Sequence, residues 1–503
     1  MIGKMTWGFA SSPGMLKWDN RALKGFVMRK AKVCGPMFFV LSLLFPCIVF
    51  PSLSIAGPSL EFSVHDLASG KPGATALIVG GIQGDEPGGF NAAALITTHY
   101  DIRSGRVIVV PNLNFPSIVR RSRGVHGDMN RKFDRLTPDD PEWKTVGRIK
   151  SLITSPDVDF ILNLHDGSGF YTRTWESARR NPNRWGQSII IDQARMPESS
   201  AKSSPGTSGK FDHHEEIALG CARDMNTRLL SSDHRIHVKN TRTAEGNREM
   251  EKTLTYFALK HGKPAFGIEA SKSFVTSGRV YYHLLAIEAF LTRAGILFER
   301  RFTLTDAGIR IAMDEDITVH LGNRRVLVMA ENVRNHLRFI PMEKGWDMDF
   351  HVNHPLLTLV PKGNGYQLYH GNRRLTRLDP QYFEYDLKLA KIDMVVDGRD
   401  ITVPLGSRVA VRERFLVQHI PEHRVNIIGF SKQSAENESG FVVRETDILN
   451  RYSIDRAGRI YRVEVYGGGR FNGMVLVDFR AGQPRMKLAR ADAPDKDRQA
   501  LLP

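Results

Sequence analysis

The sequence predicts an α/β domain on a mixed, mostly parallel sheet, followed by two small all-β modules. Two observations carry that reading. From about Leu60 to Arg301, apolar runs of strand length alternate with stretches of helical spacing. After Arg301 the helical spacing gives way to short strand-like runs separated by turn residues. Taken in order, Ala74–Gly80 is an unbroken apolar run and predicts a buried strand, Gly89–Tyr100 a helix, and Val107–Val110 a strand closed by Pro111. Phe160–Leu164 predicts a strand ending at His165, Ser188–Ile191 another, and Ile217–Leu230 a helix. Pro264–Ile268 predicts a strand ending at Glu269, and Tyr281–Leu297 a closing helix.

In the first β module, over 302–387, strands are predicted at Ile317–Leu321, Arg325–Met329, Leu356–Leu359 and Gly365–Tyr369. Gly322-Asn323 and Gly363-Asn364-Gly365 mark turns between them. The second module, over 388–481, carries Ile392–Val396, Arg408–Val411, Asn426–Gly429, Arg459–Val465 and Met474–Phe479, a pattern of short strands that suggests a sandwich. The polar tail 482–503 predicts a loose end.

The length of 503 residues leaves room for several domains, and 41% hydrophobic with 25% charged residues is ordinary for a globular chain. Residues 1–56 read as an export leader. Arg29, Lys30 and Lys32 precede the apolar run Met37–Phe50, and Ser54-Ile55-Ala56 offers a small-x-small cleavage site. The run is short for a membrane span, so no stable span is expected once the leader is removed; Met28 is an alternative start. The formal net charge of +16 falls to about +10 without that leader, which suits an anionic partner such as a cell-wall polymer or simply a basic surface. No nucleic-acid partner is expected. Of the three cysteines only Cys221 lies beyond the leader, so no internal disulfide and no multi-cysteine metal site can form there.

Chemistry concentrates where predicted strands end. Gln83 and Glu86 follow the first strand at i and i+3, close enough to share an ion, and His165 ends a distant strand. Two near ligands, one remote ligand and an open position make the pattern of a catalytic zinc site, with Gln83 standing where a histidine would be expected. Glu269 ends a further strand, and open parallel sheets gather such residues in one cleft. Between them lie Arg120-Arg121-Ser122-Arg123 and Asp128-Met129-Asn130-Arg131-Lys132-Phe133, whose arginines suit a carboxylate. Thr255 and Tyr256 either touch substrate or are ordinary helix residues, and Trp185 either walls the pocket or packs in the core. His213-His214-Glu215-Glu216 reads as the first turn of a helix, because adjacent helical residues point apart.

Residues 70–275 resemble the zinc carboxypeptidases of the carboxypeptidase A type. The order of parts is similar: a ligand pair, an arginine, Asn-Arg, a histidine and a glutamate. The segments Pro111-Asn112-Leu113-Asn114 and Phe266-Gly267-Ile268-Glu269-Ala270-Ser271-Lys272 are also alike. Gln83, export and two trailing β modules resemble the cell-shape-determining DL-carboxypeptidases of peptidoglycan. That resemblance implies a carboxypeptidase-like domain over 57–301, then a barrel-like and an Ig-like module. It implies Zn2+ held by Gln83, Glu86 and His165, Arg123 on the oxyanion, Asn130 and Arg131 on the substrate's terminal carboxylate, and Glu269 as general base and acid. It further implies a periplasmic enzyme that removes meso-diaminopimelate from stem tripeptides, with the β modules meeting the wall or wall-associated proteins. A deacylase of the succinylglutamate desuccinylase or aspartoacylase type and a non-catalytic wall-binding scaffold are the rival readings.

Overall fold

The structure, a computed structural model, describes residues 60–196, 211, 213–430 and 435–482; the leader expected over 1–56 and most of the tail expected over 482–503 lie outside the described residues. In the first part of the chain the elements run β1 (His65–Ala68), β2 (Thr75–Val79), α1 (Pro87–His99), β3 (Tyr100–Ser104), β4 (Arg106–Val110), α2 (Phe115–Arg120) and α3 (Trp143–Ile153). Then come β5 (Phe160–Gly167), β6 (Phe170–Tyr171), β7 (Arg180–Asn181), β8 (Ser188–Ile191), α4 (His214–Asn226) and β9 (His237–Asn240). The series ends with α5 (Leu254–Lys260), β10 (Ala265–Ser271), α6 (Thr276–Ala294), β11 (Leu297–Arg300) and α7 (Asp306–Asp314). Seven strands make one sheet in the order β1-β4-β2-β5-β10-β8-β9. The pairs β2–β4, β2–β5, β5–β10 and β8–β9 are parallel; β1–β4 and β8–β10 are antiparallel. The sheet is therefore mixed with a parallel centre, as expected.

The apolar runs have a direct cause. Ile78 joins a core formed with α1, α4 and α6, while its neighbours Leu77 and Val79 join an opposite core with α3 and α5. A strand buried on both faces has no polar side to show, so its sequence loses the alternation of a surface strand. Helix α7, absent from the sequence reading, places Ile309 and Ala312 in the first of these cores. Strands β5 and β10 run past the predicted ends, to Gly167 and Ser271, so His165 and Glu269 lie inside them and pair in register.

The trailing segment is all-β apart from short helical turns. Strands Thr318–Leu321, Val326–Met329 and Phe350–Val352 form one open sheet, and His336–Glu343, Arg373–Phe383, Gly365–His370 and Leu357–Lys362 another. Two further four-stranded sheets enclose a core that includes Met394, Phe415, Val463 and Val475. Leu359 and Leu368 share a core with Ile460, Phe471 and Leu476, so the two β modules are joined by packed apolar surface. The first module also packs on the α/β part. Leu356 is buried with Phe90, Phe115 and Ile118, Asn112 Nδ2 donates to Pro355 O at 2.9 Å, and Arg121 Nε donates to Asn372 O at 2.5 Å. Helices α1 and α2, which flank the Gln83 loop, are thereby braced from behind.

Asp166 ties the sheet to two helices. Its carboxylate accepts from the Gly88 backbone N–H at 2.9 Å, Arg279 Nη1 at 3.1 Å and His283 Nε2 at 3.1 Å. Burial pushes its pKa up, but these partners outweigh burial and hold it below the ordinary carboxyl value. A depressed carboxylate contributes stability that is present above the unfolded pKa and lost as pH falls through the folded one. Asp166→Ala leaves the partly buried Arg279 guanidinium without its carboxylate and the buried His283 ring without its hydrogen-bond partner, and is expected to cost about 3–5 kcal/mol. Denaturant unfolding checks this, and the deficit relative to wild type should shrink below about pH 4; a loss under 1 kcal/mol would contradict it.

Candidate metal centre and active site

The site assembles at the carboxyl ends of β2, β5 and β10. After β2 the chain turns through Gly80-Gly81-Ile82-Gln83-Gly84, and Glu86 stands at the N-cap of α1. Gly84 makes this turn possible: a Cβ there would lie 2.0 Å from the Ser117 carbonyl carbon, so the loop can close on α2 only without a side chain. Gln83 and Glu86 are both buried, as is His165. His165 Nδ1 stands 3.1 Å from Gln83 Oε1 and 3.0 Å from Glu86 Oε2. Glu86 Oε2 also accepts from the Asp166 N–H at 3.1 Å, which holds the carboxylate in place.

Asp128, to which sequence reasoning gave no role, decides what Gln83 can do. Its Oδ1 accepts from Gln83 Nε2 at 2.8 Å and from the Asn130 N–H at 3.0 Å. An ionised carboxylate accepts only, so the amide NH2 group must face Asp128. The amide oxygen is then turned toward His165 and Glu86. Burial raises the Asp128 pKa, but Gln83, Arg123 and Arg131 outweigh it and keep the group below its ordinary value. The signal available in the sequence was position alone: Asp128 sits two residues before Asn130 in the basic loop.

Three donors thus converge, and their chemistry fits a divalent metal. In a tetrahedral shell with donors about 2.0–2.1 Å from zinc, neighbouring donors stand about 3.3 Å apart, close to the 3.1 and 3.0 Å that separate His165 Nδ1 from the other two donors. Among the described residues no three His, Cys, Asp or Glu side chains could hold a metal. A metal held here would need the Gln83 oxygen beside Glu86 and His165 as its third protein donor.

Positive groups surround this cluster. Arg123 donates through Nε to Asp128 Oδ2 at 3.0 Å, and its Nη1 lies 3.6 Å from Glu86 Oε1. Lys272, also without a role in the sequence reading despite its place in the β10 segment, puts Nζ 3.3 Å from both Asp85 Oδ2 and Glu86 Oε1. Arg131 Nη1 donates to Asn130 O at 3.0 Å, and its Nε lies 3.7 Å from the exposed Glu249. Asn130 is buried and committed: its Oδ1 accepts from the Leu254 N–H at 3.0 Å and its Nδ2 lies 3.4 Å from His165 Nε2.

Glu269 is the half-buried neighbour of His165 across the β5–β10 pair. Burial raises its pKa to about 7; the His165 and Lys272 charges oppose this, and Glu86 and Asp166 add to it. Gly167 leaves room for this carboxylate, since a Cβ there would lie 2.7 Å from Glu269 Oε2.

Trp185, Thr255 and Tyr256 make no direct contact with the three donors. Trp185 carries Lys239 Nζ 3.9 Å above its ring, and burial lowers the Lys239 pKa to about 8. Thr255 is buried beside Thr253, its Oγ1 3.2 Å from Thr253 Oγ1, and it hydrogen-bonds Asp192. Tyr256 is half-buried under Lys260. His214 begins α4 in the core while His213 precedes it, in keeping with the helical-turn reading.

Comparison with known proteins places this arrangement. Residues 59–313 match the family model for the catalytic part of a carboxypeptidase controlling helical cell shape, and 385–480 match the C-terminal domain of a metallo-carboxypeptidase. No curated protein matches. Among solved structures, the cell shape determinant protein Csd4 from Helicobacter pylori in its apo and tripeptide-bound forms is 37% identical, covering 83% of this chain and 100% of its own, with a TM-score of 0.74. An mDAP-bound form of Csd4, described as a D,L-carboxypeptidase, is likewise 37% identical, with a TM-score of 0.74, covering 82% of this chain and 99% of its own. A catalytic model spanning half the chain, and this identity over most of it, show that the protein belongs to the family of metallo-carboxypeptidases controlling helical cell shape.

Proposed function

We propose that the protein is an exported, zinc-dependent D,L-carboxypeptidase that removes terminal meso-diaminopimelate from peptidoglycan stem tripeptides. The observation that carries this is the convergence of Gln83 Oε1, Glu86 Oε2 and His165 Nδ1 beside Glu269. The tripeptide and mDAP described for Csd4 support the choice of substrate. A wall substrate and the leader-like residues 1–56 support a periplasmic location. Among the described residues no helix is long and apolar enough to cross a membrane. The chain after Arg301 is read as a barrel-like module over 302–387 and an Ig-like module over 388–481, with the tail 482–503 outside both; the sheets that follow Asp314 are open ones of three and four strands.

A bound zinc ion supplies Lewis acidity toward the scissile carbonyl and toward water. Gln83, Glu86 and His165 would hold it. Glu269 takes a proton from the attacking water and returns it to the leaving amine. Arg123, held over Glu86 by Asp128, presents its guanidinium to the developing oxyanion. Arg131 grips the terminal carboxylate; Asn130, locked to Leu254, fixes the backbone that carries it. Trp185, Thr255 and Tyr256 are assigned to the substrate by the resemblance alone, and Thr255, buried against Thr253 and Asp192, would act there by positioning its neighbours.

Metal-loaded protein incubated with purified muropeptides is expected to release diaminopimelate from tripeptide stems, read by mass spectrometry. Absence of product from tripeptide, tetrapeptide and pentapeptide stems would overturn the proposal. Glu269→Gln should lower turnover about 10²–10⁴-fold while tripeptide binding stays within a few-fold. Because the ionised carboxylate is the active base, activity should fall as pH falls. The acidic limb should lie above an ordinary carboxyl and no higher than about 7, since a bound cation draws the raised value down. Asp128→Ala frees the Gln83 amide to rotate and should weaken zinc affinity about 10–100-fold. Competition with a chelating dye measures it, and unchanged affinity would contradict the role given to Asp128.

A further inference from the structure

Where the two β modules meet, a cleft of about 1120 Å³ opens, and none of its lining residues belongs to the active site. That volume exceeds the about 300–1,000 Å³ typical of a pocket for one small ligand, so the cleft suits a length of polymer. Five arginines line it, among them Arg338, Arg424 and Arg451, and Glu464 is the one carboxylate in the lining. Glu464 is buried against Arg462, with 3.1 Å between the charged atoms. Arg338, Arg424 and Arg451 are exposed; Arg424 lies 4.9 Å over the Tyr466 ring and its charge reaches Glu464.

The backbone here is built to display side chains. The pairing of His336–Glu343 with Arg373–Phe383 breaks between Leu337 and Ile340, and the bulged residues are Arg338 and Phe339. Bulges of this kind re-aim side chains. Phe339 adopts a φ of 54°, a left-handed conformation costly for a bulky residue, yet the residue is 66% exposed. Burial in a core therefore does not explain the conformation. The buried Arg462 holds it: Nη1 donates to Phe339 O at 2.8 Å and Nη2 to Arg338 O at 3.3 Å. Across the cleft Tyr452 is also exposed, with Arg451 over its ring at 5.0 Å.

We propose that this cleft binds a carboxylate-bearing peptidoglycan strand, separately from the stem peptide held at the active site. The identity of the polymer rests on the function proposed above; the cleft itself does not. Guanidiniums meet the repeated free carboxylates of the stems, and the faces of Phe339 and Tyr452 meet sugar rings. The chain's own segment 483–503 is a poor occupant, since its five Lys/Arg against three Asp would repel the cleft. A second hold on the same strand raises the local concentration of stems at the active site.

The test is co-sedimentation of the full-length protein with purified sacculi, paired with hydrolysis of a soluble tripeptide. Arg338→Glu combined with Arg424→Glu should weaken sacculus binding at least tenfold and leave tripeptide turnover within twofold. Phe339→Gly relieves the left-handed strain, so it should keep or raise the melting temperature while still weakening sacculus binding. Sacculus binding unchanged in both variants would overturn the proposal, as would a wild-type protein that ignores sacculi and binds only an acidic protein. If the wild type fails to cleave tripeptide yet the variants lose sacculus binding, the cleft stands and the catalytic proposal falls.

Discussion

The hydrogen bond from the Gln83 amide to Asp128 is the contact on which the rest of the site depends. An amide offers an oxygen or an NH2 group to whatever lies beside it, and only the oxygen can ligate a cation. Asp128 takes the NH2 group, and the oxygen is left facing Glu86 and His165. The same carboxylate holds Arg123 above Glu86 and fixes the turn that carries Asn130. A neutral amide is a weaker ligand than imidazole. In the proposed function, orientation by a fixed carboxylate offsets part of that deficit, much as partners of ligating histidines do in metal sites generally.

The fold serves this contact at several levels. Parallel strands bring β2, β5 and β10 to one edge, so residues remote in the chain become neighbours. Asp166 locks β5 to the start of α1 and to α6, and its own N–H secures Glu86. The first β module packs on α1 and α2 through Leu356, which stiffens the loop bearing Gln83. In the two proposals, the α/β part of the molecule sets the chemistry, and the cleft between the β modules sets where on a polymer it occurs.

Much of this was legible in the sequence because the relevant signals are local. The unbroken apolar runs that locate β2, β5 and β10 also locate the residues that follow or end them, and Gln83-x-x-Glu86 carries its spacing on its face. Asp128 was visible but mute, since its role lies in the direction of a hydrogen bond across 45 residues. Asn130 was read as a group that holds the substrate's terminal carboxylate; that its oxygen accepts from the N–H of Leu254, 124 residues on, had no sequence signal. Lys272 joins the site only through the twist and pairing of β10. The bulge at Arg338 and Phe339 had no signal at all, because nothing in a phenylalanine announces a left-handed backbone.

The most direct test is a crystal structure of the zinc-loaded protein with anomalous data at the zinc edge. One peak is predicted about 2.0–2.2 Å from Gln83 Oε1, Glu86 and His165 Nδ1, with Gln83 Nε2 still donating to Asp128. A peak elsewhere, or zinc held with the Gln83 amide turned away from Asp128, would contradict the central claim.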